Sequence, residues 1–209
     1  MLKNPVLAED VIYSWNSNNK NIALTFDDGP HPQRTEEILD ILDEYGVKAT
    51  FFVVGQNAEW FPELVKEELS RGHEIGNHTF DHSDMKNLTP EEIRSEIVMT
   101  ENIVYENIEY RTKLLRPPGG SIEKNVLHVA ETEDYKIICW SVDTRDWAHT
   151  SVKDIVDNVL SNTGEGDIIL FHDYISGDSP TPEALRIIIP ELQNRGFNFV
   201  TVSELINSN

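Results

Sequence analysis

Short apolar runs alternate with amphipathic stretches along most of this chain. Seven runs read as strands, over 22–26, 49–54, 73–77, 113–116, 136–142, 166–171 and 197–202. Between them, apolar residues at helical spacing predict helices. Ile38, Leu39, Ile41, Leu42 and Tyr45 share one face that stops at Gly46. Further helices are predicted over 61–71, 90–108, 122–132, 151–161 and 181–195, with a last turn over 203–206. Thr89-Pro90-Glu91-Glu92 is a strong helix start, with a capping Thr, Pro at the first position and Glu at the third. Pro190 is expected to kink or split its helix. Continuous apolar strands between amphipathic helices imply an α/β fold with a parallel sheet covered on its faces, either a closed barrel or an open wound sheet. Residues 1–20 are polar and irregular and read as an N-terminal arm, which leaves 21–209 as one catalytic domain.

Composition narrows the partners. Among 209 residues, 17 Lys and Arg face 37 Asp and Glu, a formal net charge of −20. Such a chain is not expected to bind nucleic acid or an anionic membrane surface. A neutral or cationic polymer would tolerate it, and an acidic one would be repelled. The single cysteine, Cys139, lies in an apolar run and reads as a small buried residue. No run approaches membrane-spanning length. Residues 1–10 show no signal peptide, which leaves a cytoplasmic location open.

In either parallel architecture, chemistry belongs at the carboxyl ends of the strands. The unusual polar residues collect there: Asp27 and Asp28, His78 and His82, Arg116, Asp143 and Asp146, and His172 with Asp173. Asp27 and Asp28 close a strand just before Gly29-Pro30. Neighbours on an extended strand point apart, so the strand must twist or end for both to face one site. Two adjacent carboxylates also repel unless a cation holds them. His78 and His82 stand four apart, a spacing that puts two imidazoles on one side of a helical turn, where they can chelate a metal. Asp81 reads as a surface or supporting residue. Among the other histidines, His73 reads as buried and structural, and His31, His128 and His149 as surface groups, with His31 near the cleft rim. Trp60 and Trp140 read as core. Trp15 is a candidate for stacking on a sugar.

Five segments in order carry a specific resemblance. They are Thr25-Phe26-Asp27-Asp28, His78-Thr79-Phe80-Asp81-His82, Arg116-Pro117-Pro118-Gly119-Gly120, Asp143-Thr144-Arg145-Asp146-Trp147 and Leu170-Phe171-His172. With them the chain resembles the polysaccharide deacetylases, carbohydrate esterase family 4 with its NodB homology domain. The resemblance implies a distorted (β/α) barrel of about seven parallel strands surrounded by helices. It implies a divalent metal, usually zinc with cobalt or nickel as substitutes, held by Asp28, His78 and His82. Asp27 would be the general base and His172 the general acid. Arg116 would pair with Asp27, and Asp146 would orient His172. Trp147 and Leu170 would form an apolar pocket for the acetyl methyl. Asp143 matches its segment with no clear role beyond a structural hydrogen bond.

One position departs from the pattern. Gly119 stands where the family commonly has Tyr, but the family uses that residue's backbone N–H, which Gly119 retains. The implied activity is hydrolysis of the N-acetyl group of N-acetylglucosamine in a polymer, peptidoglycan first and chitin-type oligosaccharides second. Acetylxylan esterase activity is a close rival. A non-catalytic sugar-binding protein on the same scaffold is a distant one, because Asp27, Asp28, His78, His82 and His172 are all present. The family's habits further imply a monomer that acts at the cell wall, with an export segment trimmed from this chain.

Overall fold

Two faces of the strands pack two different apolar layers. In a computed structural model, which describes residues 11–16 and 19–208, β2 (Asn21–Asp27) runs through the middle of the sheet. Its Ile22, Leu24 and Phe26 point outward into a large cluster with Ile38 and Leu42 of α1 (Arg34–Tyr45) and Leu185 and Ile189 of α7 (Thr181–Asn194). Its Ala23 points inward, into a cluster with Phe52, Leu114, Ile138 and Ile168. Strand alternation thus divides one largely apolar run between an outer helical layer and a barrel interior.

The sheet is parallel, in the order β1-β6-β5-β4-β3-β2-β8-β7. The strands are β1 (Val11–Ile12), β3 (Thr50–Val53), β4 (Glu74–Asn77), β5 (Leu114–Leu115), β6 (Lys136–Ile138), β7 (Val142–Asp143) and β8 (Ile168–His172). A further strand, β9 (Asn198–Phe199), adds to the start of β2. The remaining helices are α2 (Gly55–Trp60), α3 (Pro62–Ser70), α4 (Pro90–Ile108), α5 (Lys124–Thr132), α6 (Val152–Asn162) and α8 (Val202–Asn207). The sheet curls into the distorted (β/α) barrel expected from the sequence. Its interior is closed at one end by Val202 and Leu205 of α8.

Four readings of the sequence are corrected. The run 136–142 is two strands on opposite sides of the sheet, β6 next to the edge strand β1 and β7 at the other edge, because the chain crosses the open side of the barrel between them. Cys139 N–H donates to the Ile12 carbonyl (2.7 Å) on one edge and Ser141 N–H to the Ile168 carbonyl (3.0 Å) on the other. The irregular arm does not extend to residue 20: Val11 and Ile12 form the edge strand beside β6. Trp15 N–H then donates to the Gly166 carbonyl, while residues 1–10, 17 and 18 of the expected arm lie outside the described residues. Helix α7 is continuous through Pro190. The Arg186 carbonyl, which Pro190 cannot serve, accepts a hydrogen bond from the Tyr45 hydroxyl instead (3.2 Å). Finally, Trp60 ends α2 and is 59% exposed, outside the core.

Candidate active site

At the carboxyl end of β2 the backbone turns sharply. Asp27 is the last strand residue, and Asp28 adopts a left-handed conformation with φ of 75°. That turn brings both carboxylates to one cleft. Asn57 Nδ2 donates to the Asp28 carbonyl (2.8 Å), and Val54 N–H donates to the Gly29 carbonyl, so the turn is pinned to the segment after β3.

Asp27 is buried and its charge is matched from inside the barrel. Arg116, fully buried at the end of β5, donates from Nη1 to Asp27 Oδ1 (2.7 Å) and to Thr25 Oγ1 (2.8 Å). Its Nε and Nη2 donate to the carbonyls of Ile138 and Cys139, where the chain leaves β6. The guanidinium lies 4.1 Å from the Phe52 ring centroid. That ring sits where a Cβ on Gly76 of the next strand would lie 2.3 Å from it, so only glycine lets Phe52 pack there. Burying this ion pair is tolerated because its hydrogen-bonding groups find partners.

His78 and His82 converge on Asp28. His78 Nε2 lies 3.4 Å and His82 Nε2 3.3 Å from Asp28 Oδ1. His78 Nδ1 is 2.6 Å from the Arg116 carbonyl, to which it donates as the Nδ1–H tautomer, leaving Nε2 free as a ligand atom. The two rings do not share a helical turn, contrary to the expectation from their spacing. They are carried by an irregular loop in which Thr79 and His82 both have positive φ.

Two residues without an assigned role hold that loop. Asn77 Oδ1 accepts from Thr79 N–H, and Glu96 Oε2 of α4 accepts from the N–H groups of Phe80 and Asp81. Asp81 itself is exposed and accepts from Ser83 N–H, a supporting contact. Neither Asn77 nor Glu96 carries a sequence signal beyond being polar on an otherwise apolar face.

Across the cleft, His172 ends β8. Its Nδ1 is 2.7 Å from Asp146 Oδ1, and its N–H donates to Asp146 Oδ2 (2.8 Å). Trp147 N–H and Thr181 Oγ1 also donate to Asp146, which is fully buried and fully used. Asp143 Oδ1 accepts from Arg145 N–H, so a structural role is visible for it. Asp173 is buried behind the Asp27–Asp28 turn and accepts from Thr35 Oγ1 (2.6 Å), which in turn accepts from His31 N–H (2.8 Å).

The charges perturb one another. Burial works against ionising Asp28, but the adjacent His78, followed by His172 and His82, holds its carboxyl below the ordinary range. Burial disfavours a charged His78 too, yet Asp27 and Asp28 raise it; His82 is lowered, by burial first and then by His78. Burial likewise opposes charging His172, and the hydrogen bond and charge of Asp146 overcome it, so that its pKa is pushed up to about 9. Burial, and then the charges of Asp28 and Asp27 against the Thr35 hydrogen bond, push Asp173 up to about 7.

Asp27, Asp28, His78, His82 and His172 line a cleft of about 460 Å³ with Gly119, Trp140, Asp143, Trp147 and Leu170. All ten residues with an expected role therefore meet at one end of the barrel: eight line the cleft, Arg116 stands behind Asp27, and Asp146 stands behind His172. Trp140 packs against the core as expected but also shows a face to the cleft. His73 is buried, with Nδ1 accepting from Ala49 N–H, and His128 and His149 are exposed. The His31 ring stacks on Tyr174, 4.7 Å between centroids. Trp15 stands beside the opposite end of β8, away from the cleft.

Asp28 Oδ1 is buried and receives no hydrogen bond. With His78 Nε2 and His82 Nε2 it forms a set of three ligand atoms within 4.8 Å of one another. Two imidazole nitrogens and one carboxylate oxygen are a donor set suited to a divalent ion of intermediate softness, with coordination positions left open.

Comparison with known proteins agrees with this geometry. Residues 15–138 match the family model described as polysaccharide deacetylase. A peptidoglycan-N-acetylglucosamine deacetylase of Bacillus cereus is 43% identical over 192 residues, covering 91% of this chain and 90% of the relative. A chitooligosaccharide deacetylase of a Bradyrhizobium species is 34% identical over 213 residues, covering 96% of this chain and 97% of the relative. The crystal structure of the peptidoglycan N-acetylglucosamine deacetylase Bc1960, in complex with 4-naphthalen-1-yl-N-oxidanyl-benzamide, superposes with a TM-score of 0.92 at 40% identity, covering 96% of this chain and 94% of that one. Matching in family model, in sequence along nearly its whole length and in fold, this chain belongs to the polysaccharide deacetylase family.

Proposed function

We propose that this protein hydrolyses the N-acetyl group of N-acetylglucosamine units in peptidoglycan, releasing acetate and leaving a free amine on the sugar. The observation that carries the reading is the buried, unpartnered Asp28 Oδ1 facing two imidazole Nε2 atoms, with Asp27 and His172 on the same cleft. Asp28, His78 and His82 would hold a divalent ion, zinc by preference, which when bound polarises the acetyl carbonyl and makes a coordinated water more acidic.

The remaining chemistry falls to this chain's own groups. Asp27 Oδ1 is occupied by Arg116, so Oδ2, 3.8 Å from His78 Nε2, is the oxygen free to take a proton from the attacking water. The backbone N–H of Gly119 serves the oxygen that gains charge as the water adds. The amine is a poor leaving group until protonated. His172, held cationic by Asp146, supplies that proton to the nitrogen as the carbon–nitrogen bond breaks. Trp147 and Leu170 offer apolar surface to the acetyl methyl. All of these residues come from one chain, so the chemistry needs no second subunit. Acting on peptidoglycan, the protein would work at the cell wall.

The test is acetate release from peptidoglycan, chitooligosaccharides and acetylxylan, before and after chelation. Activity on the N-acetylated glycans that chelator abolishes and zinc, cobalt or nickel restores is expected. Activity on acetylxylan alone would overturn the amide reading, and full activity in metal-stripped protein would overturn the metal's role.

A further inference from the structure

The cleft does not end at His82 and Gly119. These two residues also form one wall of an adjoining chamber of about 340 Å³, completed by Asp84, Lys86, Pro118 and Ser121. A ligand reaching the metal-binding set can therefore extend directly into it. The partition between the two is thin because residue 119 has no side chain. Gly119 has φ of 61°, and a Cβ built there would meet nothing within 4 Å.

Two of the chamber's polar groups, the Ser121 hydroxyl and the Lys86 ammonium, are left without a protein partner among the described residues. Ser121 is 8% exposed, and its Oγ has no hydrogen-bond partner. A buried hydroxyl without a partner is costly unless a ligand or water completes it. Asp84 Oδ1 accepts from the Lys86 N–H (3.1 Å), which caps a short turn over Met85–Asn87 and spends that oxygen on backbone. The Lys86 ammonium pairs with no carboxylate among the described residues. It is also the one Lys or Arg among the residues lining the cleft and the chamber.

We propose that this chamber receives an acidic substituent on the sugar next to the reacting N-acetylglucosamine, with Lys86 recognising its carboxylate and Ser121 donating a hydrogen bond. The inference rests on the peptidoglycan reading and deepens it. A chain of net charge −20, whose cleft carries Asp27, Asp28 and Asp143 and whose chamber carries Asp84 beside Lys86, repels an anionic polymer unless a cation meets it at the point of contact. In peptidoglycan every second sugar bears a lactyl ether, whose carboxyl is either free or extended by a peptide with carboxylates of its own. Chitin has no such group. A cation at this place therefore separates the two polymers by charge.

The experiment measures kcat/KM for acetate release by the zinc-loaded wild type, Lys86→Gln, Lys86→Arg and Ser121→Ala. Three substrates are compared: chitooligosaccharide, glycan strands with free lactyl carboxylates, and strands with intact peptides. Lys86→Gln is expected to lower the ratio of kcat/KM on acidic glycan to that on chitooligosaccharide about fivefold, the scale of one exposed charge pair. The change should lie in KM, Lys86→Arg should restore the ratio, and added salt should shrink it in the wild type. Ser121→Ala should lower it in the same direction. An effect on peptide-free strands assigns the lactyl carboxylate, and an effect confined to peptide-bearing strands assigns the peptide. A ratio unchanged by Lys86→Gln overturns the inference while leaving the deacetylase intact. Wild-type protein that releases no acetate from any of the three overturns the deacetylase reading and this inference with it.

Discussion

At the amino end of the barrel, Thr50 Oγ1 donates to Glu74 Oε2 (2.9 Å) and accepts from Val202 N–H (2.9 Å), while Ser203 N–H donates to the same Glu74 oxygen. A carboxylate thus sits at the first turn of α8, where free N–H groups and the helix dipole favour it. Val202 and Leu205 then fill the interior behind it. At the carboxyl end, Asp28 Oδ1 is buried with no donor, and two imidazoles crowd it. The same strands supply both ends. Where polar groups satisfy one another the barrel is closed and serves only stability. At the cleft, Asp28 Oδ1 and the two imidazoles converge on one point that a ligand can complete, and we assign the chemistry to that end. Arg116 joins the two regimes, since it fills the interior with one side and fixes Asp27 with the other.

Removing Arg116 should break the contrast most severely. Arg116→Met leaves Asp27 as a buried charge without its partner and frees two carbonyls where the chain crosses the barrel's open side. A loss of about 3–5 kcal/mol is expected, measured by denaturant unfolding, together with loss of activity in whatever remains folded. A change at the closed end should separate stability from chemistry. Leu205→Ala opens a cavity beneath the interior cluster and should cost about 2–5 kcal/mol. The kcat of the folded, metal-loaded fraction should stay at the wild-type value. A fall in kcat larger than the unfolded fraction explains would show that the ends are coupled.

Asp146→Asn should have the clearest effect on pH. His172 has a pKa in the folded protein of about 9, above its ordinary value near 6.5. Its charge therefore adds stability that is fully present below about 6.5 and is lost as pH rises through about 9. Asn at 146 keeps one accepting oxygen, sets an NH2 against two of the donors that Asp146 serves, and loses the charge. NMR titration of the His172 ring in the metal-free protein should move down toward 6.5, and the stability difference across that pH window should flatten. An unchanged titration would mean that Asp27 and Asp28, not Asp146, hold the charge.

Much of this contrast was legible in the chain. Apolar runs ending in Asp27, Arg116, Asp143 and His172 located the functional end before any geometry, because a parallel barrel gathers strand ends. What periodicity could not show was how the backbone delivers them. His78 and His82 have the spacing of a helical turn, but Asn77 and Glu96 hold the loop N–H groups in a shape that hydrophobic pattern does not encode. The run 136–142 is apolar but for Lys136 and Ser141, and a single Ser is common within strands, so nothing in it marks Cys139–Ser141 as a crossing between the two sides of the sheet. Two residues of β1 are too few to register as a strand until β6 is there to pair with them. Trp60 faces solvent, not the core, and a large apolar side chain at a helix end carries no sign in the sequence of which way it faces.

The central claim is a division of labour between neighbours: Asp28 holds the metal and Asp27 moves the proton. Zinc stoichiometry and acetate release measured on the same preparation of Asp27→Asn test it most directly. The account predicts about one bound zinc, as in the wild type, with kcat reduced about 10²–10⁴-fold, the usual worth of a positioned general base. Wild-type turnover in that variant, or loss of zinc in step with loss of activity, would contradict it.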